Sequence, residues 1–374
     1  MRIKEIQAVH VRVPLEVPYV YGRGAMTGFE SAIVRIVTDD GVTGYGESAP
    51  LFLSPSGGPD LITRLINGPV ASDLIGRDPF DVETIVGRVL HHANGNVDVV
   101  AGIDLALWDI LGKFLGQPVY KLIGGICQDP IPVDYTLSTA EPEAMTDKAR
   151  KVCENGFRGV VVKVTGESLE KDVSRVRSVR EALPSDCTVR VDCNGVFSRE
   201  KAIQFLKAIA QWDIELVEQP LAGNDIDGLK QCREIGVPIS LDESLITLGD
   251  ALNFVCNKAC DILNIKIPRV GGLFLAKRMA AIAASAGLPI IVGGRTALEL
   301  SRCASRHFAA STAGTMGRKH EGPGPASQTL SDDVVSKRTT IEMAEQAGGH
   351  VSVERAPGLG LEVIWEKVER YSLK

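Results

Sequence analysis

Nowhere in these 374 residues do about 18 apolar side chains follow one another, the length a bilayer-spanning helix needs, so no transmembrane segment is expected. The opening Met-Arg-Ile-Lys-Glu-Ile also lacks the apolar run of a secretory signal. No Cys-x-x-Cys pair occurs among the eight cysteines. Cys256 and Cys260 stand four apart in a helix-like stretch, with no other metal ligand nearby. Eight reduced thiols in a cytoplasmic protein are therefore expected. Positive charge is not in excess: the net charge is −6 and the pI about 5.7, which argues against nucleic acid or an anionic membrane as partner. Low-complexity segments and sequence repeats are absent too.

The content that remains, 44% apolar and 24% charged, is that of a soluble globular protein, and the length suits a barrel of about 250 residues plus a smaller domain. Five short runs of β-branched and aliphatic residues each end in one ionisable side chain. They are Val-Val-Val-Lys163, Val-Arg-Val-Asp192, Glu-Leu-Val-Glu218, Pro-Ile-Ser-Leu-Asp242 and Ile-Leu-Asn-Ile-Lys266. The intervals of 29, 26, 24 and 24 residues each fit a strand, a returning helix and two loops. Apolar runs without alternation indicate strands buried on both faces, as in a parallel sheet. Charges at the carboxyl ends of successive parallel strands converge on one mouth.

Three converging carboxylates repel one another unless a cation sits among them. No His or Cys holds the ionisable position at the end of a run, so the ligands are hard oxygens, suited to Mg²⁺ before Zn²⁺. In an eight-stranded barrel Lys163 and Lys266 belong to strands four apart and face each other across the mouth.

Along the chain, Ile3–Val13, Glu30–Thr38 and Gly41–Glu47 read as a meander of strands. Pro18–Gly28, rich in Gly and Tyr and containing Met26, reads as a loop or lid, and Leu51–Pro59 as a second loop beside it. Val100–Lys113 is a buried helix, stopped by Gly-Gln-Pro118 and Gly124-Gly125. Residues 131–137 start the barrel. Its further strands follow at Val160, Val189, Ile214, Val237, Ile262 and Leu288, with a weaker candidate at 315–320. The expected domains are 1–125 (α+β), 126–330 (barrel) and 331–374, a tail of strand, glycine turn and strand that returns to the first domain.

These motifs resemble the enolase superfamily, in the subgroup of muconate-lactonising enzyme. The resemblance rests on Gly44-Tyr-Gly-Glu47, Ile103–Asp109 with Leu122–Gly125, Val191-Asp192-Cys-Asn194, Val217-Glu218-Gln219-Pro220, Asp242-Glu243-Ser244, Asn264-Ile-Lys266 with Val270-Gly-Gly272, and Pro357-Gly-Leu-Gly360, all in the family's order and spacing. It implies a (β/α)7β TIM barrel with an α+β N-terminal capping domain completed by the C-terminal tail. It also implies Mg²⁺ held by Asp192, Glu218 and Asp242, with Lys163 and Lys266 as the acid/base pair. The capping loops 19–28 and 51–59 would carry specificity, and the family's habit implies a homo-oligomer. One departure stands out. The subgroup's second barrel strand ends in Lys-x-Lys, but here Val161 replaces the first lysine. That removes a cation from the site wall, makes Lys163 harder to deprotonate and leaves an apolar patch. The seventh strand, Ile290-Ile-Val-Gly-Gly, carries no His base of the mandelate-racemase kind.

A proton α to a carboxylate is very weakly acidic, so its removal needs a divalent ion on the carboxylate oxygens and a base at the carbon. Two opposed amines allow racemisation or epimerisation; one base with an acid at a β-hydroxyl allows dehydration. Muconate-type lactonisation and a non-catalytic relative stand as alternatives, as does a Schiff-base aldolase, which uses a lysine but needs no carboxylate trio. Around the site, Asn194 is read as a hydrogen-bonding wall residue and Glu243 as a group that orients a lysine. Tyr19 and Met26 belong to the capping loop. Arg295 and Arg269 are read as anion binders or surface residues. Glu321, in His320-Glu321-Gly-Pro, is read as a polar turn or a partner for a substrate amine. With the apolar Val161, that suggests a small amino or imino acid such as a proline derivative. His91 and His92 read as surface residues, His307 as packed or exposed structure, and Glu47 as a residue that orders the capping meander.

Overall fold

The structure is a computed structural model that describes residues 1–21, 24–50, 57–223, 225–294, 296–316 and 330–373, with side chains over the same ranges except 19–21, 24 and 25. Alternation in the first fifty residues yields an antiparallel sheet of order β1 (Ile3–Tyr21), β2 (Gly24–Thr38) and β3 (Thr43–Ser48). The stretch expected as a loop over 18–28 instead carries the ladder on: Tyr19 pairs with Met26, Val20 with Ala25 and Tyr21 with Gly24. Pro18 falls within a register shift between Pro14 and Tyr19, where its missing N–H breaks no ladder bond. Met26 is partly buried against the main core. Of the second loop, residues 51–56 lie outside the described residues.

Helices α1 (Pro59–Leu65), α2 (Ala71–Leu74), α3 (Val82–His92), α4 (Val97–Leu115) and α5 (Val119–Leu122) follow, with a π-turn over Ile66–Val70. Helix α4 starts at an Asn96 cap and stops at Gly116, whose φ of 63° is left-handed. It lies directly on β3 because Gly46 has no side chain: a Cβ there would sit 2.0 Å from the Gly102 carbonyl oxygen.

The barrel begins after the short strand β4 (Ile131–Pro132). Its parallel strands are β5 (Tyr135–Leu137), β6 (Gly159–Lys163), β7 (Thr188–Asp192), β8 (Leu216–Glu218), β9 (Ile239–Leu241), β10 (Ile262–Ile265) and β11 (Ile290–Val292), neighbours in that order. Each is followed by its helix: α6 (Pro142–Glu154), α7 (Leu169–Ala182), α8 (Arg199–Ile209), α9 (Ile226–Arg233), α10 (Leu248–Cys256), α11 (Leu273–Ser285) and α12 (Glu299–Ala310). The eighth position shows one parallel bridge, Thr315 to Ile290, and its continuation at 317–320 lies outside the described residues. Buried residues on both strand faces match the unalternating apolar runs. Arg190, 1% exposed, fills the interior and pairs with Asp134 at 2.5 Å and with Glu215 at 2.5 Å.

After α13 (Ile341–Gln346), the tail pairs β12 (His350–Val351) antiparallel with β4. The expected second strand is a single bridge, Val363 to Val335, and an unforeseen helix, α14 (Trp365–Arg370), follows it. The chain then lies against β1: Arg12 N–H donates to the Tyr371 carbonyl, and Leu373 N–H to that of His10.

Buried acids join the cap to the barrel. Glu47, read earlier as ordering the meander, accepts from the Leu298 and Ser301 N–H groups at 2.9 and 3.1 Å and so caps α12. Asp104 on α4 caps α11 through Leu273 N–H at 2.5 Å. Gly272, with φ at 95°, is needed there, since a Cβ would lie 2.3 Å from the Asp104 carboxylate. His307 is buried and structural, as expected: Nδ1 accepts from Tyr120 N–H at 3.2 Å, and burial pushes the ring down to about 4. Cys153 and Cys187 are joined as a disulfide, which corrects the expectation of eight thiols. Among the described residues no helix is long and apolar enough to cross a membrane.

Candidate active site

Parallel pairing brings the strand-end residues together. Lys163 is opposite Asp192, and Asp192 opposite Glu218. Paired positions point the same way, so Val161, Lys163, Arg190, Asp192 and Glu218 all face the barrel interior. Asp192, Glu218 and Asp242 are each no more than 2% exposed. Charge so deeply buried persists only with partners.

Those partners are the two predicted lysines and one arginine. Lys163 Nζ contacts Asp192 Oδ2 and donates to Asn194 Oδ1 at 2.8 Å. Lys266 Nζ, at the end of β10, donates to Asp242 Oδ2 at 2.6 Å and lies 3.7 Å from Glu218 Oε1. Arg269 holds the other oxygen of Asp242. Arg269 was weighed as a surface residue; it is instead buried on a carboxylate of the trio. The signal was present in Lys266-Ile-Pro-Arg269, a turn closed by Arg269 N–H to the Lys266 carbonyl at 2.8 Å, which folds position 269 back over 266.

The electrostatics follow from that packing. Burial alone would lower Lys163, but the Asp192 and Glu218 carboxylates outweigh it and hold the ammonium above its usual range. Burial, then Asp192, pushes Glu218 well up. Burial, then Asp242 and Asp192, pushes Glu243 up to about 7. Asp242 moves the other way: burial opposes its charge, yet Arg269 and Lys266 hold it below the carboxylate range. Asn194 Nδ2 donates to Glu243 Oε1 at 2.9 Å, so Glu243 reaches Lys163 through Asn194.

Lys266 owes its position to a glycine that sequence reasoning passed over. A Cβ at Gly293, just past β11, would lie 2.6 Å from Lys266 Cε and 2.2 Å from Asn264 Oδ1. Gly293→Ala should therefore displace the amine. A shift near 1 Å costs about 10²-fold in rate. The expected result is a folded protein, by circular dichroism, whose α-proton exchange falls about that much; unchanged exchange would show that Lys266 has slack.

Among the described residues no three donors close into a metal cage, because the Lys266 ammonium lies between Asp242 and Glu218. The residues still fit a hard divalent ion. All three donors are carboxylates at adjacent strand ends, and Glu218 Oε1 is buried with no hydrogen-bond donor. Val161 is buried on the inner wall beside Arg190. Tyr19, Arg295 and Glu321 lie outside the described residues or side chains.

Comparison with known proteins gives concordant findings. Residues 3–124 match the description "Mandelate racemase / muconate lactonizing enzyme, N-terminal domain", and residues 144–367 match "Enolase C-terminal domain-like". The chain is 30% identical to the L-Ala-D/L-Glu epimerase of Bacillus subtilis (strain 168) over 96% of its own length and 97% of that protein's. It is 30% identical to the cis-3-hydroxy-L-proline dehydratase of Roseibium aggregatum over 100% of both. The dipeptide epimerase of Enterococcus faecalis V583, solved with Mg and the dipeptide L-Leu-L-Tyr, superposes with a TM-score of 0.87 at 29% identity, over 97% of this chain and 100% of that one.

Proposed function

The chain belongs to the enolase superfamily, in the mandelate racemase and muconate lactonizing enzyme group, and from that premise we propose that Lys163 and Lys266 epimerise a small amino or imino acid across a Mg²⁺ site made by Asp192, Glu218 and Asp242. Abstraction of a proton α to a carboxylate, through an enediolate, is the chemistry of this family, and the chain is an isomerase or lyase of that kind. The observation that carries the reading is the placement of two amines four strands apart, each bonded to a different member of the carboxylate trio. When bound, Mg²⁺ supplies positive charge to the substrate carboxylate as the α-proton leaves.

The side chains do the rest. Asn194 fixes the direction of Lys163, and Gly293 fixes that of Lys266. An α-carbon between the amines loses its proton to one and regains it from the other, which inverts the centre. Each lysine is the base for one antipode and the acid for the other.

Charge supports the substrate class. Apart from Arg190, which is paired with Asp134 and Glu215, four carboxylates among the described residues, Asp192, Glu218, Asp242 and Glu243, face three cations, Lys163, Lys266 and Arg269. A divalent ion turns the deficit of one charge into a surplus of one, which one substrate carboxylate cancels. A dianion such as a muconate would call for a further cation, and Val161 stands where the subgroup has it. An amino group on the substrate needs one more acid, a role we assign to Glu321.

The test is proton NMR in D₂O with Mg²⁺, using proline, cis-3-hydroxy-L-proline, an Ala-Glu dipeptide and cis,cis-muconate. Loss of the α-proton signal with appearance of the inverted isomer is the expected result. Loss of the hydroxyl instead makes the enzyme a dehydratase on the same site. Lactone from muconate, with no exchange elsewhere, would sink the proposal.

A further inference from the structure

Gln219 follows Glu218 and is fully buried, in a left-handed conformation with φ at 41° that a side-chain-bearing residue seldom adopts. Something must hold it there, and its bonds show what does. Its Oε1 accepts from the N–H groups of Asp242 at 3.0 Å and Ser244 at 3.2 Å. Its Nε2 donates to the Leu221 carbonyl at 2.8 Å and to Ser244 Oγ at 2.7 Å. Ser244 Oγ in turn donates to the Gly223 carbonyl at 2.7 Å. Both amide atoms are thus engaged, donor and acceptor each in the one orientation that fits. The backbone adds more: Gln219 N–H donates to the Ser240 carbonyl at 2.8 Å, and Gly195 N–H donates to the Gln219 carbonyl at 2.8 Å.

One residue therefore touches the loops that carry all three carboxylates. Gly195 belongs to the turn after Asp192, Gln219 is next to Glu218, and Asp242 is held by its own N–H. We propose that Gln219 is a positioning residue that sets the spacing of Asp192, Glu218 and Asp242, and so matches the site to Mg²⁺ in preference to a larger cation. The inference rests on the metal reading above and adds to it a determinant of ion choice.

The physical basis is the difference between hard cations. Mg²⁺ demands a small, near-octahedral oxygen shell at fixed distances, whereas Ca²⁺ accepts longer bonds and variable geometry. A rigid clamp favours the first, and a loosened one loses that preference. Groups behind metal ligands typically govern affinity by 10- to 100-fold.

The experiment is calorimetric titration of metal-free protein with Mg²⁺ alone and, separately, with Ca²⁺ alone, for wild type, Gln219→Met and Ser244→Ala. Gln219→Met should weaken Mg²⁺ binding about 10- to 100-fold while Ca²⁺ binding changes by less than about threefold. Ser244→Ala keeps the Oε1 bond to Asp242 N–H and should shift the ratio in the same direction by less. It also serves should Gln219→Met fail to fold. Unchanged Mg²⁺ affinity in both variants overturns the inference. So does an equal loss for both ions that tracks the melting temperature in chelator, which would mark a role in folding alone. A wild-type protein that takes up no Mg²⁺ overturns the metal reading itself, and this inference with it.

Discussion

With Lys266 changed to alanine, interconversion of the two substrate antipodes falls about 10³-fold, yet one antipode still trades its α-proton for deuterium. The reason is the division of labour between two faces. Lys266 and Lys163 approach from strands four apart, so in the proposed mechanism each serves one hand of the substrate. Without Lys266, Lys163 can remove a proton and return a deuteron to the same face, which gives exchange without inversion. Lys163→Ala should give the mirror result: no inversion, with exchange confined to the other antipode. Positioned acid–base groups contribute about 10²- to 10⁴-fold, which sets the size of the loss. Chiral chromatography measures inversion, and NMR in D₂O measures exchange. If either single variant abolished exchange of both antipodes, the two-face arrangement would be wrong, and a one-base reaction such as dehydration would take its place.

Chelation of divalent metal should bring exchange to background, a loss of about 10³-fold or more, and added Mg²⁺ should restore it. Charge stabilisation of several kcal/mol is at stake, and each 1.36 kcal/mol is about tenfold in rate. The same ion should raise thermal stability if, as proposed, it binds only the folded trio; at about 100 times Kd the gain is about 2.7 kcal/mol. Glu218→Ala should remove both effects together. Glu218 is the apt residue to change, since its Oε1 accepts no hydrogen bond and its nearest cation, Lys266, stands 3.7 Å away. Full activity in chelator, or a melting temperature indifferent to Mg²⁺, would contradict the assignment.

The carboxylates and lysines were legible because each ends an apolar run, and strand geometry then dictates where such an end points. The barrel was legible for the same reason, down to a single bridge at its eighth position. What could not be read depends on partners distant in sequence. Glu47 caps a helix 251 residues away, and nothing near it announces that helix. The paired segments 19–21 and 24–26 have the composition of a loop, but the long ladder behind them carries the pairing forward. Cys153 and Cys187 are 34 residues apart and meet only once β6 and β7 are side by side. Gln219 and Gly293 stand in motifs quoted from the sequence, but the roles assigned to them here went unread for a subtler reason. One acts through buried amide bonds and the other through the absence of an atom, and neither leaves a pattern of charge or hydropathy.

Glu47 and Asp104 carry a lesson for anyone recombining these enzymes. Each is an acid from the first part of the chain seated on the start of a barrel helix, α12 and α11 respectively. A chimaera that borrowed residues 1–125 from a relative without an acid at both places would leave two helix ends bare at the seam. The two halves are therefore interchangeable only as matched pairs, and new specificity is more safely sought at the loop tips than by exchanging the whole cover.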